Sequence, residues 1–192
     1  MTEETLIAQL KLKNTAVFSQ LIDLYQQKIF GTCISFVPNK EDAEDLVQEV
    51  FLEVYNSIHK FNEKSKLSTW IYRITTNKCL EFIRKKNTKK RSAFLKPLFG
   101  DDFTIDKTNY FTEFNHPGFL LENKELNETL FKAINCLPES QSIVFTLHKI
   151  DGKSYQEIAE ITNKSLSSVE SIMFRAKKNL QKRLYNYYKN EF

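Results

Sequence analysis

Glycine and proline are scarce in this chain, with four of each among 192 residues. Tight and left-handed turns draw on those two residues, so their scarcity excludes a fold of many short hairpins and favours helices. Cysteine is also rare. Cys33, Cys79 and Cys136 are odd in number and far apart in sequence, with no metal-type spacing. They are expected to be reduced, buried thiols. No apolar run approaches the ~18 residues of a membrane span. The first 14 residues carry no basic stretch followed by an apolar core, so they do not read as a signal peptide. A soluble, cytoplasmic protein with no direct membrane insertion is expected. His59, His116 and His148 are scattered, and no glycine-rich nucleotide loop is present. Neither a catalytic group, a metal site nor a cofactor site can be assembled from these residues, so no enzymatic activity is expected.

What the chain does have is apolar content and unevenly placed charge. Hydrophobic residues make up 41%, enough for real cores. The 28 Lys and Arg against 24 Asp and Glu leave a net charge of only +4. A nucleic-acid role would therefore depend on where the cations sit rather than on their total.

Periodicity divides the chain into three parts. Residues 5–86 read as a helical block. Phe18, Leu21, Ile22 and Tyr25 recur at spacings of three and four. Leu46, Val47, Val50, Phe51, Val54, Tyr55 and Ile58 form one broad apolar face, and Asp42, Glu44, Asp45 and Glu49 occupy the early turns, where the helix dipole favours anions. A loop is expected over Phe61–Ser68 and a second helix over Thr69–Lys86. Residues 87–118 lose the period, contain Pro97, Gly100, Pro117 and Gly118, and are rich in Phe. They read as a linker that becomes ordered on a partner. Residues 119–188 are helical again, with Leu126, Leu130, Ala133 and Ile134 on one stripe. The fold class expected is all-α, two small helical domains joined by a flexible linker.

The last third, Leu137–Leu184, has its own punctuation. Pro138 suits the first position of a helix and Asp151-Gly152 its end. Ser154-Tyr-Gln-Glu157 has the form of a capping box. Asn163 stands where a left-handed residue is needed, and Ser165 or Ser167 can cap the final helix. That is the outline of a helix-turn-helix, which can lay its second helix in the major groove of DNA. Arg175, Lys177, Lys178, Lys182 and Arg183 suit phosphates.

Other features admit two readings from sequence. Arg84–Arg91 packs six cations into eight residues, either a solvated helix end or a phosphate contact. Arg73, Asn77 and Arg84 share one helix face, as a plain surface stripe or as a set that meets phosphates and base edges. Trp70 is either core or a platform for an unpaired base.

The order of these segments resembles the bacterial sigma-70 class of RNA polymerase sigma factors, in its small extracytoplasmic-function (ECF) group. Asp42–Phe51 resembles the region-two helix that binds the polymerase clamp. Ser68–Asn77, running on to Arg84, resembles the segment that melts and reads the −10 promoter element. Leu137–Gln141, Ser154–Glu160, Ser168-Val and Arg175-Ala-Lys177 resemble region four, which reads the −35 element. The resemblance implies a region-two bundle over 5–86 and a region-four helix-turn-helix over 119–188. It implies core RNA polymerase and promoter DNA as partners, and an anti-sigma protein, often membrane-anchored.

At matched positions it implies a polymerase-binding face of Asp42, Asp45, Leu46, Gln48, Glu49 and Phe51. The −10 strand would meet Asn62, Lys64, Ser68, Trp70, Arg73, Asn77, Arg84 and Lys85, with a flipped base held by the Asn62–Ser68 loop. The −35 element would meet Ser167, Ser168, Glu170, Ser171, Phe174, Arg175 and Lys178. Lys164, Glu170, Ile172 and Phe174 depart from the family's usual residues. Glu170 could accept from a cytosine amino group or cap the helix at the third position after Ser167. The alternative reading is a helix-turn-helix regulator that acts without the polymerase core.

Overall fold

The computed structural model describes residues 2–37, 39–94 and 124–191, with side chains described for 2–37, 39–85 and 129–185. Eight α-helices and one 3₁₀ turn, and no strand, occur among the described residues. They are α1 (Glu3–Lys11), α2 (Thr15–Ile34), α3 (Lys40–Ser57), the 3₁₀ turn (Ile58–Lys60), α4 (Leu67–Phe94), α5 (Lys124–Asn135), α6 (Glu139–Lys149), α7 (Tyr155–Thr162) and α8 (Leu166–Glu191).

The helix starts are written in side chains. Asn14 accepts from the Ala16 and Val17 amides, and Asn39 accepts from the Asp42 amide at 2.7 Å. Each satisfies amides that a helix start leaves without partners. Glu41 and Asp42 in the first turn of α3 add the favourable dipole term. The helix expected over Thr69–Lys86 runs longer, to Phe94, because nothing in that polar basic stretch breaks it before Pro97. The first part of the expected linker is therefore helix, and 95–118 lies outside the described residues.

In the first half, α3 packs against α2 and α4. Leu46, Val50, Phe51 and Val54 on one side of α3, with Ile58 of the 3₁₀ turn, share a buried cluster with Leu21, Ile29, Ile71 and Cys79. In the second half, α8 lies across α6 and α7. Its Val169, Met173, Ala176 and Leu180, at spacings of three and four, bury against Phe131, Ile134, Leu147, Ile158 and Ile161. The halves also meet, chiefly through α4 against α7, and their buried apolar residues join in one cluster.

Candidate nucleic-acid interface

The helix-turn-helix is fixed by local bonds. Ser154 and Glu157 form a complete capping box at the start of α7, with the Glu157 amide donating to the Ser154 hydroxyl at 3.2 Å and the Ser154 amide to the Glu157 carboxylate at 2.9 Å. The Ser154 amide, together with the Ser154 hydroxyl donating to the same carboxylate oxygen at 2.8 Å, holds the Glu157 carboxyl below its ordinary range. Asn163 ends α7 at φ 53°, ψ 46°, the left-handed conformation expected for it. Pro138 sits one position earlier than expected, at the N-cap of α6, where its extended ψ of 144° leads the chain in. Gly152 supplies the positive φ of 65° that turns the chain after α6.

Of the two candidate caps for α8, Ser165 is the one that accepts, from the Ser168 amide at 3.2 Å. The third helical position is then Ser168, so Glu170 is free of any capping role and stands exposed. Ser167, Glu170, Ser171, Phe174, Arg175 and Lys178 all lie on the open side of α8, while Ser168 is half-buried. Phe174 is 69% exposed, an unusual position for so large an apolar ring. On the inner side Asn179 donates to Gln141 at 2.8 Å and fixes α8 to α6.

On α3 the expected polymerase-binding set divides. Asp45, Gln48 and Glu49 are exposed and Asp42 is half-buried. Leu46 and Phe51 point into the core at 3% and 6% exposure. Side chains so deep in the α2–α3–α4 packing have almost no surface to offer a partner. Leu52, outside the expected set, is 61% exposed on the outer side of the helix. Helical phase could have shown it, since Leu52 follows Gln48 by one turn. Lys78 of α4 reaches Glu49 and Glu53 of α3 at 3.8 and 3.9 Å.

The −10 set lies along the entry and one side of α4. Asn62 and Lys64 are exposed in the preceding loop, where the Asn62 side-chain oxygen accepts from the Lys64 amide at 3.3 Å. Ser68 is half-buried near the start of α4, and the Leu67 amide donates to Glu3 at 3.0 Å. Trp70 is half-buried and packs on Phe61 with ring centroids 5.2 Å apart, which favours the core reading of this residue. Lys85 is exposed. Arg73, Asn77 and Arg84 do share one face, but that face lines a cleft whose other wall is Glu139, Asn163 and Lys164 of the second half. Arg73 donates to the backbone carbonyls of Glu160 and Ile161, at 2.6 and 3.4 Å. Arg84 donates through two nitrogens to Glu139, at 2.9 and 3.3 Å.

A second polar contact between the halves has no counterpart in the sequence reading. The Thr32 hydroxyl of α2 lies 3.0 Å from Asp151 and 3.1 Å from the Lys28 carbonyl oxygen. Burial pushes the Asp151 carboxyl up to about 7, against the opposing pull of Thr32 and Lys153. Lys153 lies over the Tyr72 ring at 4.1 Å. Cys33 and Cys79 are buried with their sulfurs 3.9 Å apart, and Cys136 is half-buried. Among the described residues no group of His, Cys, Asp and Glu could hold a metal, and no helix is long and apolar enough to cross a membrane.

Two family models match the two halves. Residues 21–89 match Sigma-70 region 2 and residues 127–180 match Sigma-70, region 4. The chain is 28% identical over 184 residues to the ECF RNA polymerase sigma-E factor of Escherichia coli K12, covering 96% of this chain and 95% of that protein. The sigma-E factor of Haemophilus influenzae is also 28% identical, with 96% of each chain covered. Among solved structures, CnrH in complex with the cytosolic domain of CnrY aligns at a TM-score of 0.68 and 20% identity, over 96% of this chain and 97% of that one. The sigma factor RpoE in complex with the anti-sigma factor NepR from Bartonella quintana aligns at 0.62 and 23%, over 88% and 96%.

Proposed function

The chain belongs to the sigma-70 family, as an RNA polymerase sigma factor of the ECF type, and from that premise we propose how its residues divide the work of transcription initiation. Residues 5–86 act as the core-binding and −10 module, residues 119–188 as the −35 module, and 87–118 as the connection between them. The exposed Asp45, Gln48, Glu49 and Leu52 of α3 meet core RNA polymerase, with Asp42 at the edge and Leu46 and Phe51 holding the helix in place. Arg73, Asn77, Arg84 and Lys85 take the −10 strand, and Asn62, Lys64 and Ser68 at the head of α4 hold a base drawn out of the stack. Trp70 supports that loop through Phe61. Ser167, Glu170, Ser171, Phe174, Arg175 and Lys178 face the −35 major groove, and Ser168 steadies the entry of the helix.

The observation that carries this reading is the open face of α8. It is polar and cationic along the helix while the opposite face is fully committed to core. Glu170, released from capping, has its acceptors available for a cytosine amino group, and the Phe174 ring suits a thymine methyl. The protein carries out no covalent chemistry of its own and works in the cytoplasm with the polymerase. An anti-sigma protein is the expected restraint, since the RpoE structure it resembles is held by one.

Run-off transcription with core polymerase on a genomic promoter library tests the reading. Discrete start sites preceded by two shared elements are expected. A chain that binds DNA but directs no initiation with core polymerase would instead be a plain helix-turn-helix regulator.

A further inference from the structure

The loop that leads into α4 is gripped from the far end of the sequence. Phe61 and Leu67 close it at both ends and are buried, while Asn62, Glu63, Lys64 and Lys66 between them are exposed. Glu63 has a φ of 59°, a left-handed conformation that a residue with a Cβ keeps only when its surroundings hold it. Asn62 and Lys64 flank it and are joined across it by the bond from the Lys64 amide to the Asn62 side chain. The hold comes from α1. Lys11, in its last turn, forms an ion pair with the Glu63 carboxylate. Glu3, in its first turn, accepts from the Leu67 amide at 3.0 Å. That amide opens α4, and Lys66 before it has no side-chain acceptor with which to cap it. Helices α2, α3, α7 and α8 are capped from their own entries, by Asn14, Asn39, Ser154 and Ser165. The cap of α4 comes from 64 positions away. The brace itself is fixed: Ile7 and Leu10 are buried, and Lys13, just past the end of α1, lies over the Tyr55 ring of α3 at 5.0 Å.

We propose that Glu3 and Lys11 of α1 are positioning residues for −10 specificity, which touch no DNA but hold Asn62, Lys64 and Ser68 in the arrangement that receives an unpaired base. The proposal rests on the reading of Asn62–Ser68 as the loop that holds a base drawn out of the stack. Drawing a base from the duplex costs free energy, and a loop that must also order itself on binding adds to that cost. A loop held beforehand does not. The ion pair has a second effect. Glu63 is the one acidic residue between Phe61 and Ser68 and would repel a phosphate. Lys11 neutralises it, so Lys64 and Lys66 set the charge that the strand meets. An exposed ion pair contributes little to global stability, so its loss should show in the loop rather than in the fold. Specificity is a difference of affinities. A loosened loop loses contacts to the right base that the wrong base never made, so discrimination falls while phosphate contacts remain.

The test uses the full chain as holoenzyme on a promoter recovered by the run-off assay. 2-Aminopurine placed in turn along the non-template −10 strand locates the position where a base unstacks, by its rise in fluorescence. Open-complex formation is then measured with each base at that position, and discrimination is the ratio of the best to the worst. Lys11→Glu should lower that ratio at least about fivefold, the lower end of the usual coupling between sites. Lys11→Glu combined with Glu63→Lys rebuilds the pair with its charges exchanged and should recover the ratio. Glu3→Ala should also lower it, whereas Glu3→Gln, which keeps an acceptor for the Leu67 amide, should lose much less. Thermal melting and co-purification with core polymerase establish that each variant is folded and bound. A merely structural role would depress opening on every base alike and leave the ratio where it was. That result overturns the brace, as does a charge exchange that recovers nothing. Asn62→Ala separates this proposal from the reading beneath it and should lower the ratio as well. If it does and the α1 variants do not, the loop reads its base without α1 and the brace fails. If Asn62→Ala discriminates as the parent does, it is the base-holding assignment of the loop that fails, and the brace with it.

Discussion

Single residues carry the sharpest energetic statements in this protein. Asp151 is the clearest. Its carboxyl stands at about 7 in the folded chain, against about 3.9 for an exposed Asp. Between those values the folded state keeps a proton that the unfolded state has lost, so stability declines as pH rises through that window and levels off above it. The whole effect is on the order of a few kcal/mol. Urea midpoints compared at pH 5 and pH 8 should show the parent losing stability at the higher pH, while Asp151→Asn changes much less. Ser154 is a smaller case of the same kind. Its hydroxyl is one half of the capping box, and Ser154→Ala should cost about 1 kcal/mol in a denaturation curve. The Ser154 box was legible in sequence because its partner is three residues away. The Thr32–Asp151 bond was not, because it joins positions separated by 119 in the chain and neither residue announces a partner.

Helices show where periodicity is informative and where it stops. The apolar stripe of α3 reads directly as a core face, and so does that of α8. Periodicity gives the face but not its depth: Leu46 and Phe51 sit in the same short stretch as Asp45 and Glu49, yet they are core. Resemblance assigned the stretch as a unit, while burial divides it by helical phase. Ile71 of α4, wholly buried, should be among the costliest sites in the chain. Ile71→Ala is expected to lose about 2–5 kcal/mol in equilibrium unfolding. On α8 the exposed cations should behave additively. Arg175→Ala with Lys178→Ala should reduce the salt dependence of promoter binding by a slope of about 2, measured as log affinity against log salt. An unchanged slope would remove both from the phosphate contacts.

At the scale of the molecule, the all-α class, the helix-turn-helix and the order of the modules were legible in the sequence. The contact between the halves was not, since it depends on two surfaces meeting and each is polar enough to look like plain surface. Asn77→Ala should weaken promoter opening by the holoenzyme while core binding, measured by co-purification, stays intact. Loss of both together would make the stripe structural. The unbroken course of α4 from Leu67 past Arg84 has a further consequence, which is metrical. A helix rises about 1.5 Å per residue, so the eleven steps from Arg73 to Arg84 set their Cα atoms about 16 Å apart along its axis. A continuous helix cannot stretch, so under the proposed −10 assignment it works as a ruler, and inserting one base between the positions proposed for Arg73 and Arg84 should silence a promoter as completely as changing a base that is read.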